Sequence, residues 1–140
     1  MRKLIFLLCF LTSIASAGIL HHKEKKSNDV TAVSWLISDE VGTIIRQQNI
    51  DEVRSIASIS KLMTVMIVMD ANQDLDERLE KYTRREHIQL ALVHSDNHSA
   101  DVLCNNYPGG KIACVTAMNS KASTLYMPST HFVEPTGLSV

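Results

Sequence analysis

Ser58 and Lys61 stand three positions apart in RSIASISKLMT, residues 54–64. On a helix this spacing puts both side chains on one face, one turn apart. The residues that follow, Leu62, Met63, Val65, Met66, Ile67, Val68 and Met69, are apolar around the whole helix, which predicts a buried element. Apolar surroundings disfavour a charged ammonium, and a neutral amine beside a serine hydroxyl is able to take its proton. The positive end of the helix would favour a developing oxyanion. The chemistry is that of a serine nucleophile activated by a lysine base. The same spacing also fits a plainer arrangement, in which Ser58 caps the helix and Lys61 reaches along it to solvent.

A second constellation is Ser95-Asp96-Asn97. A serine there could relay protons beside a lysine, and an asparagine could hold a substrate amide. Ser, Asp and Asn are also the preferred helix caps, so a purely structural junction remains an alternative.

The elements around these residues are legible in outline. Two β-rich runs flank Asp39-Glu40-Val41-Gly42 and predict a hairpin. ANQDLDERLEKY reads as a charged surface connection with a helical turn. Thr83 and Glu86 form a capping-box pattern, so a helix should start near Arg84 and run toward the Ser95-Asp96-Asn97 junction. NNYPGG breaks the next helix, and Ile112, Val115, Met118, Ala122 and Leu125 then recur at amphipathic spacing. The tail, STHFVEPTGLSV, is extended and rich in turns.

A length of 140 residues suits one small domain, and a net charge of -1 with mixed signs gives no footprint for nucleic acid. Residues 1–17, MRKLIFLLCFLTSIASA, read as a secretory signal peptide: a basic start at Arg2 and Lys3, an apolar run from Leu4 to Leu11, and small residues at Ala15 and Ala17. Cleavage after Ala17 would remove two basic residues and no acid, taking the charge from -1 to -3. Residues 18–30 then form a flexible N-terminal arm, and residues 31–140 the domain. The retained Cys104 and Cys114 are a disulfide candidate in an oxidising compartment, structural rather than catalytic. His21 and His22 lack acidic or cysteine partners at ligand spacing, so no metal is expected.

The two motifs, in this order and each at a helix junction, match the S-x-x-K and S-x-N pair of penicillin-recognising serine enzymes. RSIASISKLMT, YTRREHIQLALVHSDN, the NNYPGG turn, AMNSKASTLYM and HFVEPTGLS together resemble the low-molecular-mass penicillin-binding proteins, the serine-type D-alanyl-D-alanine carboxypeptidases and endopeptidases of bacterial cell walls. The resemblance covers residues 30–140. It implies an α+β fold of the DD-peptidase and β-lactamase type, an antiparallel sheet flanked by helices, here truncated before the C-terminal strands. It implies peptidoglycan stem peptides as substrate, β-lactam antibiotics as covalent inhibitors, no cofactor, and a place in the periplasm or cell envelope. Carried over by position, Ser58 is the acylated nucleophile, Lys61 its base, Ser95 a proton relay and Asn97 the substrate-amide contact. The Ser58 N–H would form half of an oxyanion hole.

Two departures stand out. The 140 residues contain no Lys-Thr-Gly, the third motif of these enzymes, and Ser95 follows Ser58 by only 37 positions, as if a surface segment near Leu79 to Tyr82 were missing. A β-lactamase would need an added carboxylate base for deacylation, and Glu134, in the EPTGL turn, reads as structural. Two other readings stand beside the peptidase. One is a non-catalytic wall-binding or interaction remnant of the family, suggested by the missing third motif. The other is a zinc hydrolase, suggested by His94 and His98 at the spacing of H-E-x-x-H. There, however, Ser95 replaces the glutamate base, and Asp96 and Asn97 would interrupt the helix.

Overall fold

The computed structural model of the chain describes residues 30–139, so the expected signal peptide, almost all of the arm, and His21 and His22 lie outside the described residues. The described chain divides into a hairpin unit ending at Gln48 and a helical unit beginning at Asn49.

In the hairpin unit, β1 (Trp35–Ser38) pairs antiparallel with β2 (Ile44–Gln48). Trp35 lies opposite Gln48 and Ser38 opposite Ile44, with a register shift after Ile37. The expected Asp39–Gly42 segment makes the turn. The Asp39 carboxylate accepts from the Val41 and Thr43 amides at 3.1 and 2.7 Å, and Gly42 takes φ +88°, a conformation that costs glycine nothing.

The helical unit begins with a short 3-10 turn, Ala57–Ile59, that runs directly into α1 (Ser60–Asp70). Ser60, Lys61, Met63, Thr64, Val65, Ile67 and Val68 of α1 are buried. The expectation of burial on every face is corrected in one respect: Leu62, Met66 and Met69, at i, i+4 and i+7, form an exposed stripe. A composition that is apolar all round cannot reveal which face the fold leaves open.

The charged connection forms a minimal β ladder where a helical turn was expected. β3 (Arg78–Leu79) pairs with β4 (Tyr82–Thr83) across Glu80 and Lys81, with Glu80 at φ +54°. Thr83 then caps α2 (Arg84–Val93) in the predicted capping box: its amide donates to Glu86 Oε2 at 2.7 Å, and its hydroxyl accepts from the Glu86 amide at 3.2 Å. α3 (Asn97–Asn105) and α4 (Gly110–Thr124) follow, joined by a disulfide between Cys104 and Cys114, whose Cα atoms are 5.4 Å apart. Gly109 and Gly110 both take positive φ in the break between them.

The core gathers Met63, Ile67 and Val68 of α1, Ala91 of α2, Ala100, Val102 and Leu103 of α3, Met118 and Ala122 of α4, and Phe132 of the tail. On α4 the buried line is Cys114, Met118 and Ala122, whereas Ile112 is 85% exposed and Leu125 lies outside the core. The sequence pattern thus found the helix but misaligned part of its buried face. The tail is fastened by Asn119, which accepts from the Phe132 amide at 2.9 Å and donates to the Phe132 carbonyl at 2.8 Å. Among the described residues, no helix is long and apolar enough to cross a membrane.

Candidate active site

Ser58 and Lys61 meet at the entry to α1. Lys61 is only 1% exposed, and its Nζ lies 2.9 Å from Ser58 Oγ and 2.9 Å from the Thr136 carbonyl. The lysine therefore does not snorkel: its head is held inside, between a hydroxyl and a main-chain oxygen. Ser58 itself is exposed, so its hydroxyl is open to an incoming group. Its placement in the 3-10 turn depends on Ala57, which takes φ +47°. A left-handed non-glycine residue beside a reactive side chain is a common place for backbone strain.

The tail turn closes this corner from the other side. Gly137 takes φ +81°, and a Cβ there would fall 1.8 Å from the Ala57 carbonyl oxygen and 2.9 Å from Ser60 Oγ. Only glycine lets the turn approach so closely. Thr64, one turn after Lys61 on α1, donates from Oγ1 to the Pro135 carbonyl at 2.8 Å. Glu134 binds the turn from within, accepting from the amides of Thr136 (2.7 Å), Gly137 (2.5 Å), Leu138 (2.8 Å) and Ser139 (3.4 Å). Partial burial by itself would raise the Glu134 carboxyl; the hydrogen bonds from Thr136, Ser139 and Gly137 outweigh it and hold the group below the ordinary glutamate range.

Ser95, Asp96 and Asn97 sit at the junction of α2 and α3, where the sequence placed them. Asp96 is the N-cap of α3, accepting from the Ser99 amide at 2.8 Å, and the hydrogen bonds from Ser99 depress its carboxyl. Ser95 takes φ +54° and is exposed. Among the described residues its hydroxyl makes no hydrogen bond to Ser58 or Lys61. Asn97 Oδ1 is buried without a hydrogen-bond partner, one of a few such orphans among the described residues, with Ser34 Oγ, Gln73 Oε1 and Arg84 Nε. The junction is steadied by His87, 1% exposed, whose Nε2 donates to the Leu79 carbonyl at 2.9 Å, leaving Nδ1 to accept from Ser99 Oγ at 3.0 Å. One imidazole thus ties β3, α2 and α3 together.

The structure joins Ser58 to Lys61 directly and sets Ser95 and Asn97 on a separate capped corner without a bond to that pair. His94 and His98 share no helix: His94 ends α2, and His98 Nε2 faces Glu80 at 2.9 Å. Three participants had no sequence signal of their own: the Thr136 carbonyl, the left-handed Ala57 and the close approach of Gly137. Only the Pro-Thr-Gly run hinted at a special backbone there.

The sequence profile of the D-alanyl-D-alanine carboxypeptidase family matches residues 21–80 and 75–140, two stretches that meet at 75–80. The D-alanyl-D-alanine endopeptidases of Pseudomonas aeruginosa and Escherichia coli are each 41% identical over 133 aligned positions, covering 80% of this chain and 43% of theirs. The chain thus spans less than half the length of these relatives. Because 80% of 140 residues is fewer than 133, the relatives also carry residues that this chain lacks within the aligned span. Among solved structures, penicillin-binding protein D2 from Listeria monocytogenes in its ampicillin-bound form superposes with TM-score 0.68 at 30% identity, over 76% of this chain and 52% of that one. A D-alanyl-D-alanine carboxypeptidase from Mycobacterium tuberculosis superposes with TM-score 0.67 at 27% identity, over 78% and 48%.

Proposed function

Because the chain belongs to the D-alanyl-D-alanine carboxypeptidase family and has that family's α+β fold, we propose that it carries the acylation half of a serine DD-peptidase site acting on the peptide stems of peptidoglycan. One observation carries this reading: a buried lysine amine 2.9 Å from an exposed serine hydroxyl at a helix entrance.

In the proposed reaction, Ser58 Oγ attacks the carbonyl carbon of the penultimate D-alanine while the Lys61 amine takes the hydroxyl proton. Collapse of the tetrahedral intermediate breaks the peptide bond, and the proton passes to the departing amine of the terminal residue. Water then hydrolyses the Ser58 ester by the reverse proton path. Ser95 acts as the relay for the leaving-group proton. The orphan Oδ1 of Asn97 supports its role as the acceptor for a substrate amide N–H. The Ser58 N–H is read as one oxyanion donor.

β-Lactams, as cyclic amides, would acylate the same Ser58 oxygen; the ampicillin-bound relative supports this. The apolar run and Ala15-Ser16-Ala17 support export to the periplasm or envelope with cleavage after Ala17, and N-terminal sequencing of secreted protein should begin at Gly18. A second reading, a non-catalytic remnant, is favoured by the exposed Ser95 hydroxyl, which among the described residues makes no hydrogen bond to Lys61. Fluorescent penicillin separates the two. A longer chain that runs through a Lys-Thr-Gly strand should be labelled covalently and lose the label in Ser58→Ala. The 140-residue chain should label poorly, since one oxyanion donor alone is worth on the order of 100- to 1000-fold in a serine protease. Label persisting in the longer Ser58→Ala chain would overturn the assignment.

A further inference from the structure

We propose that Glu134 is a positioning residue for the Ser58–Lys61 pair, holding the Lys61 amine against Ser58 through the peptide planes of the 134–139 turn. The proposal rests on the reading of Ser58 and Lys61 as nucleophile and base, and assigns a role to a carboxylate that the sequence offered only as part of a turn.

The argument lies in which atoms share a plane. The Thr136 carbonyl and the Gly137 N–H belong to one peptide group, and no peptide in the described chain is cis, so the two point in opposite directions. Glu134 Oε1 grips the N–H side of this plane at 2.5 Å, and Lys61 Nζ donates to its carbonyl side at 2.9 Å. The preceding plane repeats the arrangement. Its N–H, from Thr136, donates to Glu134 Oε2 at 2.7 Å, and its carbonyl, from Pro135, accepts from Thr64 Oγ1 at 2.8 Å. Two successive planes are thus clamped between one carboxylate and two α1 side chains set three positions apart.

Two consequences follow for Lys61. The first is geometric: with the planes fixed from the Glu134 side, the Thr136 carbonyl occupies one hydrogen-bond direction of the tetrahedral Nζ, and another is left for Ser58 Oγ. The second is electrostatic: a negative charge on the N–H side polarises the peptide and makes its carbonyl a stronger acceptor. A neutral amide at position 134 weakens both. It carries no charge, and its NH2 group cannot accept, so one oxygen must serve amides that two oxygens now share.

The test reads Lys61 itself, not turnover. The 140-residue protein is treated with acetic anhydride, and acetylation is mapped by peptide mass spectrometry, with exposed Lys81 and Lys111 as references within the same molecule. Lys61 should be strongly protected in the native protein. Glu134→Gln should raise its rate relative to Lys111 by about tenfold, the effect of local opening made easier by one factor of ten, and Glu134→Asp should restore much of the protection. Unchanged Lys61 protection in folded Glu134→Gln protein would overturn the proposal. If that variant does not fold, the unmutated protein serves in a mild urea series. Lys61 reactivity should rise together with exchange of the Gly137 and Leu138 amides, and Lys61 staying protected while those amides exchange would overturn it as well. Failure of the catalytic reading would show separately, as an unlabelled Ser58 in the longer chain with the Lys61 footprint intact.

Discussion

The Ser58–Lys61 corner and the Ser95–Asn97 corner are both helix entrances, yet one is closed and the other open. Around Lys61 the polar heads meet partners within this chain: Ser58 Oγ and the Thr136 carbonyl on the amine, Glu134 behind the turn. At the second corner the backbone is fixed by Asp96 and by the His87–Ser99 bond, but the groups expected to do chemistry have no hydrogen-bond partner among the described residues: Ser95 is exposed, and Asn97 Oδ1 is an orphan. The backbone of a site can therefore be set by local caps while its chemistry waits for another surface. The first motif carries its support in α1 and the tail turn. The second is a capped helix junction whose expected polar heads are left without a hydrogen bond among the described residues.

The sharpest way to break this comparison is to remove the two polar heads in turn. In the longer chain, Lys61→Ala should slow penicillin acylation by roughly 100- to 10,000-fold, the range for loss of a positioned general base. In the 140-residue chain, Ser95→Ala should leave Lys61 protection from acetylation unchanged, since no bond joins them. Altered Lys61 reactivity in Ser95→Ala would show that the two corners are coupled in solution.

Next in size is the covalent tie between α3 and α4. The disulfide closes a loop with a sequence separation of 10 between α3, whose first turn bears Asn97, and α4. By chain entropy, its removal in a Cys104→Ala, Cys114→Ala double variant should cost about 3 kcal/mol, read from urea midpoints of protein made in an oxidising compartment. An intact mass showing two free thiols would remove the basis of that expectation. A smaller effect is due at the first corner. Gly137→Ala combines a left-handed backbone with a clash against the Ala57 carbonyl and should cost about 2 kcal/mol. The same variant should expose Lys61 to acetylation, whereas the disulfide variant should not do so selectively.

Much of this was legible beforehand because it depends on local spacing. The Ser58-to-Lys61 interval, the Thr83–Glu86 capping box, the turn at Asp39–Gly42 and the junction at Ser95–Asn97 each follow from residues within one or two turns of each other. What escaped needed long-range information. The acceptor for Lys61 is a main-chain carbonyl 75 positions away, and main-chain carbonyls are the same at every residue. The exposed stripe Leu62, Met66 and Met69 differs in no chemical way from the buried Met63 and Ile67, so only the packing partners tell them apart. The two-residue strands Arg78–Leu79 and Tyr82–Thr83 are too short and too charged to show alternation.

The smallest expected effect uses acid to tell the corners apart. Both Glu134 and Asp96 lie below their ordinary values when folded, Glu134 because its amide bonds outweigh a burial that would raise it, Asp96 because of its bonds to Ser99. For a carboxyl depressed on folding, the unfolded chain binds the proton more readily. Its contribution is therefore fully present above the unfolded value and lost as pH falls through the lower folded one. The ordinary values are 4.5 for Glu134 and 3.8 for Asp96, so on acidification the tail turn begins to lose its contribution at a higher pH than the α3 cap. Thermal midpoints measured from pH 6 downward should show this order. Glu134→Gln should remove the part of the acid slope that begins near 4.5, and Asp96→Asn, which keeps a capping oxygen but no charge, the part that begins near 3.8. Lys61 should become reactive along the first of these slopes and not the second, because only the Glu134 turn touches its acceptor. An acid slope in Glu134→Gln identical to that of the unmutated protein would mean that the four amide bonds are not made in solution, and the closed corner would then be no better supported than the open one.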